Sequence, residues 1–236
     1  MLLLVIPDVH LKSWMFERAS EIMKEKGIDQ AVCLMDLPDD WNKQFQTQLY
    51  EQTYNAAADF AREWPKTKWC YGNHDLSYVW GRLETGYSPY AERTVLNGID
   101  HLRESLTSDL NLAVVHRIDN VLFSHGGILH DFVCDNIGRR KRGNTDFVID
   151  ALNSFGPDIM WKDDSPIWAR PQYTGERMYR EKSMLQVVGH TPLKGISQTG
   201  NLISCDVFST HPDGTPAGSQ EFLLLDTKTW QWEGVS

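Results

Sequence analysis

Leu2-Leu3-Leu4-Val5-Ile6-Pro7-Asp8-Val9-His10 is the stretch from which the rest of the chain is read. Five apolar residues in a row, with no polar alternation, fit a β-strand covered on both faces. An Asp-x-His pair follows at once, at the exit of that strand, which is where α/β folds build their active sites. Met1 to Ile6 carries no basic stretch and is too short for a signal sequence, so it reads as a strand rather than a targeting segment.

The same arrangement recurs downstream. Ser13 is placed to cap a helix with Met15, Ala19, Ile22 and Met23 on its apolar face, ended by Gly27. A strand over 31–34 runs into Asp36-x-x-Asp39. A helix over 43–64, with Phe45, Leu49, Ala57, Phe60, Ala61 and Trp64 near helical spacing, stops at Pro65. A strand over 68–71 then runs into Gly72-Asn73-His74-Asp75. This βαβαβ opening predicts a parallel sheet with right-handed crossovers. Further on, residues 92–106 read as helix, 112–116 and 121–124 as two strands joined by a tight turn at 118–120, and 146–155 as a helix ended by Gly156-Pro157. Strands are expected over 185–188, 202–205, 221–225 and 230–232, with 209–219 a surface loop. Ser124-His125-Gly126-Gly127 and Gly189-His190-Thr191-Pro192 each follow an apolar run. One mixed domain over residues 1–236, with two packed sheets, is the simplest architecture.

With 236 residues, 41% of them hydrophobic, the chain is long and apolar enough for a substantial core. A net charge of −9 argues against bulk affinity for nucleic acid or an anionic membrane. No apolar run approaches the roughly 20 residues of a membrane span. The four cysteines, Cys33, Cys70, Cys134 and Cys205, form no C-x-x-C pair and read as small, mostly buried residues of a reducing compartment, with the cytoplasm as default. His101, His116, His130 and His211 lack a motif and read as structural or solvated. The basic run Arg139-Arg140-Lys141-Arg142 reads as a solvated loop, useful to a phosphorylated substrate only if it borders the cleft. Asp, Asn and His at the strand exits suit hard-to-borderline divalent metals, in numbers sufficient for two.

In this order and spacing the fragments resemble the calcineurin-like metallophosphoesterase superfamily, with its DxH, GDxxD, GNH[DE], later His and GH motifs. SHGG, GHTP and the stretch Trp161-Lys162-Asp163 to Pro171 are similar to the phosphoprotein-phosphatase branch, including small bacterial and phage enzymes. The resemblance spans residues 1 to about 210 and implies a four-layer α/β/β/α sandwich of two mixed sheets flanked by helices. It implies that Asp8 and His10 bind a first divalent ion, that Asp36 bridges two, and that Asn73, His125 and His190 complete the second. Mn²⁺ is the first choice, with Fe or Zn also suited to O/N ligands. A bridging carboxylate holds two such ions about 3.5–4 Å apart, where a shared water becomes a nucleophile. The resemblance further makes His74 the general acid, Asp39 its partner, and Arg170, with Asn73, a phosphate contact.

Two positions depart from the pattern. Met35 stands where the family has glycine, which suggests a reshaped loop. Asp40 stands where the phosphatase branch has a phosphate-binding arginine, which shifts the phosphate grip toward Arg170. GHTP also lacks the second histidine of the GHxH found in many phosphodiesterases. The implied activity is hydrolysis of phosphate monoesters on a phosphorylated protein or small molecule, with a Ser/Thr-type protein phosphatase first. A dinucleoside polyphosphate hydrolase or phosphodiesterase is the alternative, and a non-catalytic interaction module that keeps the fold is a third reading.

Overall fold

Strand β1 (Leu2–Ile6) is covered on both faces in the computed structural model, which describes residues 1–236. Leu4 and Ile6 face a helical layer, while Leu3 and Val5 face a second sheet. The uninterrupted apolar run is thus a strand in the middle of a sandwich.

The chain continues through α1 (Trp14–Lys26), β2 (Ala31–Cys33), α2 (Thr47–Glu63), β3 (Lys68–Cys70), α3 (Asn73–Trp80), α4 (Glu92–Ser105) and β4 (Leu112–Ala113). It goes on with β5 (Val115–Ile118), β6 (Val121–Ser124), α5 (His130–Asn136), α6 (Thr145–Ser154), α7 (Pro157–Met160) and α8 (Pro171–Thr174). The last part is β7 (Leu185–Val188), β8 (Ser197–Thr199), β9 (Leu202–Ser204), β10 (Phe222–Asp226) and β11 (Trp232–Val235). The first sheet has the order β11-β10-β1-β2-β3-β4, and the second β5-β6-β7-β9-β8. Both are mixed. β1 to β4 are parallel with β10 and β11 added antiparallel, and β6, β7 and β9 are parallel between antiparallel β5 and β8.

Three apolar layers hold the sandwich together. Side chains of α1, α2 and α4 cover the outer face of the first sheet, and those of α5, α6 and α7 cover the second. Between the sheets lie Leu3, Val5, Phe123, Val187, Ile203 and Leu225, with Cys70 and Cys205. Each fully buried side chain of this kind contributes about 1.5–3 kcal/mol. This is the expected four-layer architecture. No helix is long and apolar enough to cross a membrane.

Several boundaries differ from the sequence expectation, each for a local reason. Gly27 ends α1 in the left-handed conformation, as expected, but Ser13 makes no side-chain cap bond and is itself helical. The second helix starts at Thr47, not at 43, because residues 40–46 are spent on turns in which Asn42 has φ +60°. Phe45 therefore leaves the core and packs on Tyr90 at the surface. The run 112–116 is two strands in different sheets. Asn153 makes the break possible, accepting from the N–H groups of Val114 and Val115 at 3.1 and 2.8 Å and donating to Val115 O at 3.0 Å. Trp230, with φ +62°, belongs to the turn before β11 rather than to the strand. β8 has only exposed polar residues and left no apolar signature.

His116 on β5 crosses between the sheets, donating from Nε2 to Trp69 O at 3.0 Å. Burial pushes it down from 6.5 to about 4, so it is a structural, neutral histidine. The unfolded chain then takes up the proton first as the pH falls. The stabilisation tied to neutral His116 is complete above pH 6.5 and is lost on the way down to about pH 4. Urea unfolding at pH 7 and pH 5 should show the native chain losing about 2 kcal/mol more than His116→Gln over that interval.

Candidate metal centre

The loops after β1, β2, β3, β6 and β7 converge at one edge of the sandwich and bring Asp8, His10, Asp36, Asn73, His125 and His190 together. His125 Nε2 lies 3.0 Å from Asn73 Oδ1, 3.1 Å from His190 Nδ1 and 3.1 Å from Asp36 Oδ2. Two donors at right angles around a cation about 2.1 Å away are themselves about 3.0 Å apart, so this spacing suits a shared ion. On the other side, Asp8, His10 and Asp36 form a second group of converging donors, with His10 Nε2 at 3.9 Å from Asp36 Oδ2. Asp36 Oδ2 faces both groups, the position required of a bridge.

The backbone sets which atoms face inward. His10 Nδ1 donates to Asp39 O at 2.9 Å and His125 Nδ1 to Leu34 O at 3.1 Å, so both rings turn Nε2 to the centre. Asp36 Oδ1 accepts from His74 N at 3.0 Å and Asp8 Oδ2 from His190 N at 2.6 Å. Asp8 Oδ1 and His190 Nε2 are buried without a hydrogen-bond partner. Burial and then the neighbouring Asp206 raise Asp8 well above the usual carboxylate range. For His125, burial works downward, but Asp36 and Asp8 outweigh it and push it up to about 9. An orphaned buried carboxylate oxygen among carboxylates, imidazoles and an amide oxygen fits a pair of divalent cations, and a cation at Nε2 of His125 must displace a proton.

The glycines of two motifs have a steric reason. A Cβ on Gly72 would sit 1.9 Å from Asp36 Oδ1, and one on Gly189 would sit 1.9 Å from Asp8 Oδ1. His10, Met35, Asp36, Asp39 and His190 all have positive φ, between 42 and 64°. Non-glycine residues held there cost on the order of 1–3 kcal/mol each, a pattern typical of functional sites. Met35 is accommodated by the backbone and the core together. It adopts the left-handed conformation a glycine would take, with φ +55°, and buries its side chain fully.

Next to the centre, His74 Nδ1 donates to Asp39 Oδ2 at 3.0 Å, and Asp39 Oδ1 accepts from Tyr50 and Tyr78 hydroxyls at 3.0 and 2.6 Å. Burial would lower His74, but Asp36, Asp39 and Glu84 together raise it to about 10. Arg170 Nη1 donates to His190 O at 3.0 Å, which anchors the guanidinium beside the centre. The Trp168 ring stands edge-on to His190 with centroids 5.5 Å apart, and Trp161 packs edge-on to Trp168 at 5.3 Å. Trp41 is half exposed, and the basic run 139–142 lies in an exposed turn.

Besides Tyr50 and Tyr78, four residues escaped the sequence reading. Asp75 stands within a quoted motif yet had no role there. Its carboxylate accepts from the N–H groups of Asp36, Leu37 and Gly72 at 2.9, 3.2 and 3.0 Å, tying the loops after β2 and β3 together. Lys12 meets Asp40 at 3.4 Å and neutralises the charge at the position that lacks the family arginine, while Thr210 Oγ1 donates to Asp40 at 2.7 Å. Asp206 is buried and held by Ser209. Glu84, in a loop without any motif, reaches Asn73 and His74.

A family profile described as calcineurin-like phosphoesterase matches residues 1–212. A search of curated proteins finds no match. Among solved structures, the chain is similar to a cold-active protein-tyrosine phosphatase of a psychrophilic Shewanella species, with 17% identity and a TM-score of 0.58 over 100% of this chain and 80% of the other. It is also similar to a hypothetical protein from Pyrococcus horikoshii, with 13% identity and a TM-score of 0.53 over 100% and 87%. A third is a protein of Thermus thermophilus, with 13% identity and a TM-score of 0.50 over 99% and 97%. At these identities the likeness is one of fold.

Gly189→Ala should push its Cβ into Asp8 and spoil the first cation site while leaving the distant core intact. Bound metal per chain, measured after dialysis against Mn²⁺, is expected to fall by about half or more, with the circular dichroism spectrum unchanged.

Proposed function

Because the chain belongs to the calcineurin-like phosphoesterase family and is a metal-dependent phosphoesterase, we propose that it hydrolyses phosphate monoesters of proteins, with phosphoserine and phosphothreonine side chains as the leading substrates. The observation that carries this reading is the 3.0 Å bond from His74 to Asp39, placed directly beside Asp36. A serine or threonine alkoxide is a poor leaving group and needs a proton as the P–O bond breaks. His74 is held through Nδ1 by Asp39, which together with the neighbouring carboxylates favours its protonated form and leaves Nε2 for the leaving oxygen.

Asp8 and His10 would hold one divalent cation, Asn73, His125 and His190 the other, and Asp36 both. Mn²⁺ is the first choice and Fe or Zn the alternatives. Bound there, the pair supplies an activated water and neutralises charge on the phosphoryl oxygens. Arg170 is fixed on one side by His190 O, which leaves the rest of its fork for phosphate oxygens. Asn73 would hold the second cation through Oδ1, and the Nδ2 hydrogen not given to Glu84 would be available to a phosphate oxygen. Tyr50 and Tyr78 donate to Asp39 Oδ1 and keep the carboxylate in place, so that Oδ2 orients His74.

The dinucleoside polyphosphate or phosphodiester reading draws on one observation, the acidic Asp40 in place of a phosphate-binding arginine. Its pairing with Lys12 removes most of that force. A non-catalytic module would have no use for the held general acid.

Replacing His74 with Asn separates these readings. Turnover of a phosphoserine peptide with Mn²⁺ should fall at least about a hundredfold, and turnover of p-nitrophenyl phosphate much less, because nitrophenolate leaves without a proton. Equal losses on both substrates would remove His74 from the leaving-group role. A native chain that prefers a dinucleoside polyphosphate to the phosphopeptide would establish the alternative.

A further inference from the structure

We propose that Glu84 is a positioning residue of the metal centre, whose carboxylate fixes the amide of Asn73 so that Oδ1 and not Nδ2 faces the second cation. The inference rests on the metal-centre reading above and assigns a role to a residue outside every motif.

Glu84 stands out against its own loop. Arg82, Leu83, Thr85 and Gly86 are exposed, whereas the Glu84 side chain turns inward and is only 7% exposed. A carboxylate buried from a surface loop is costly unless something needs it. Its Oε2 accepts from Asn73 Nδ2 at 2.7 Å. The other end of the same amide, Oδ1, points to His125 Nε2 at 3.0 Å. Asn73 thus spans the gap between a carboxylate and the ligand cluster.

The two ends of an amide have nearly the same shape, so packing does not choose between its two orientations. Hydrogen bonding does. With Glu84 behind it, the orientation that offers Oδ1 to the cation also satisfies Nδ2. The flipped amide would set Oδ1 against the carboxylate and turn an N–H toward a positive ion. A carboxyl oxygen accepting at the N–H₂ end also polarises the amide and makes its oxygen a stronger donor. Glu84 Oε1 makes no hydrogen bond and lies 3.4 Å from His74 Nδ1, whose proton is already given to Asp39. The firm contact of Glu84 is therefore with the ligand, not with the general acid.

The loop does not depend on Glu84 for its own shape. Ser88 donates from Oγ to Gln44 O at 2.5 Å, and its N–H donates to the Tyr78 hydroxyl at 2.8 Å. Gly86, with φ +99°, packs so closely on His74 that an added Cβ would meet Cε1 at 3.1 Å. Removing the carboxylate should leave this anchoring in place.

The test is a Mn²⁺ titration of chelator-stripped protein by calorimetry, on the native chain, Glu84→Ala and Glu84→Gln. In the alanine variant one of the two sites is expected to weaken about 10–100-fold, the scale of a lost ligand partner, with the other unchanged. Glutamine can still accept from Asn73 Nδ2 and should recover most of that loss. The Mn²⁺ concentration for half-maximal activity of the alanine variant should rise in step with the weakened site. An alanine variant with native affinity at both sites and a lowered kcat would overturn the proposal and move Glu84 to His74. Equal weakening of both sites together with a lower Tm would overturn it in favour of a general structural role. If the native chain took up no metal, the metal-centre reading itself would fall, an outcome distinct from either.

Discussion

The carboxylate of Asp36 is the point on which the arrangement turns. It is fully buried and held on one oxygen by the N–H of His74, with the other oxygen facing the imidazoles of His10 and His125. Burial would raise its pKa, but His125 and His74 outweigh burial and hold it well below the usual carboxylate range. An ionised carboxylate in that place is tolerable only if positive charge surrounds it. Histidines and cations compete for that task. The adjacent Asp8 is pushed upward by burial and by Asp206, and one of its oxygens is unpartnered.

Keeping that carboxylate in place requires unusual backbone. Asp36 and its neighbour Met35 both take left-handed φ values, as do His10, Asp39 and His190. Such strain survives where the surroundings over-determine the loop. Here the ties are concrete. Asp75 receives three backbone N–H groups from two loops, and Gly72 lets the chain pass within reach of Asp36 where any Cβ would collide. The sandwich supplies the stiffness behind them. Gln186 on β7, for example, pins the loop after β6 by bonding Ile128 N and O at 2.8 and 3.1 Å.

The architecture also explains why the donors meet at all. Parallel strands from both sheets end on the same side, so each strand exit delivers its loop to one edge. The apolar layer between the sheets sets how far apart the two groups of loops lie. Across that gap His125 from the second sheet reaches Asp36 of the first at 3.1 Å.

Much of this was readable from linear order. Continuous apolar runs marked β1, β2, β3, β6 and β7, and the polar residues just beyond each run are the ones the structure brings together at one edge. Features that depend on a contact across space were not readable. The split of 112–116 between two sheets needs Asn153 from a distant helix, and no breaker residue marks it. The Lys12–Asp40 pair joins residues 28 positions apart, so an acidic residue in place of an arginine looked uncompensated. Met35 looked like an obstacle because sequence shows the side chain and not the φ that the surrounding core imposes. Glu84 carried no signal at all: its role lies in a 2.7 Å bond to an amide, and the direction of a side chain leaving an exposed loop is set by what is packed against that loop.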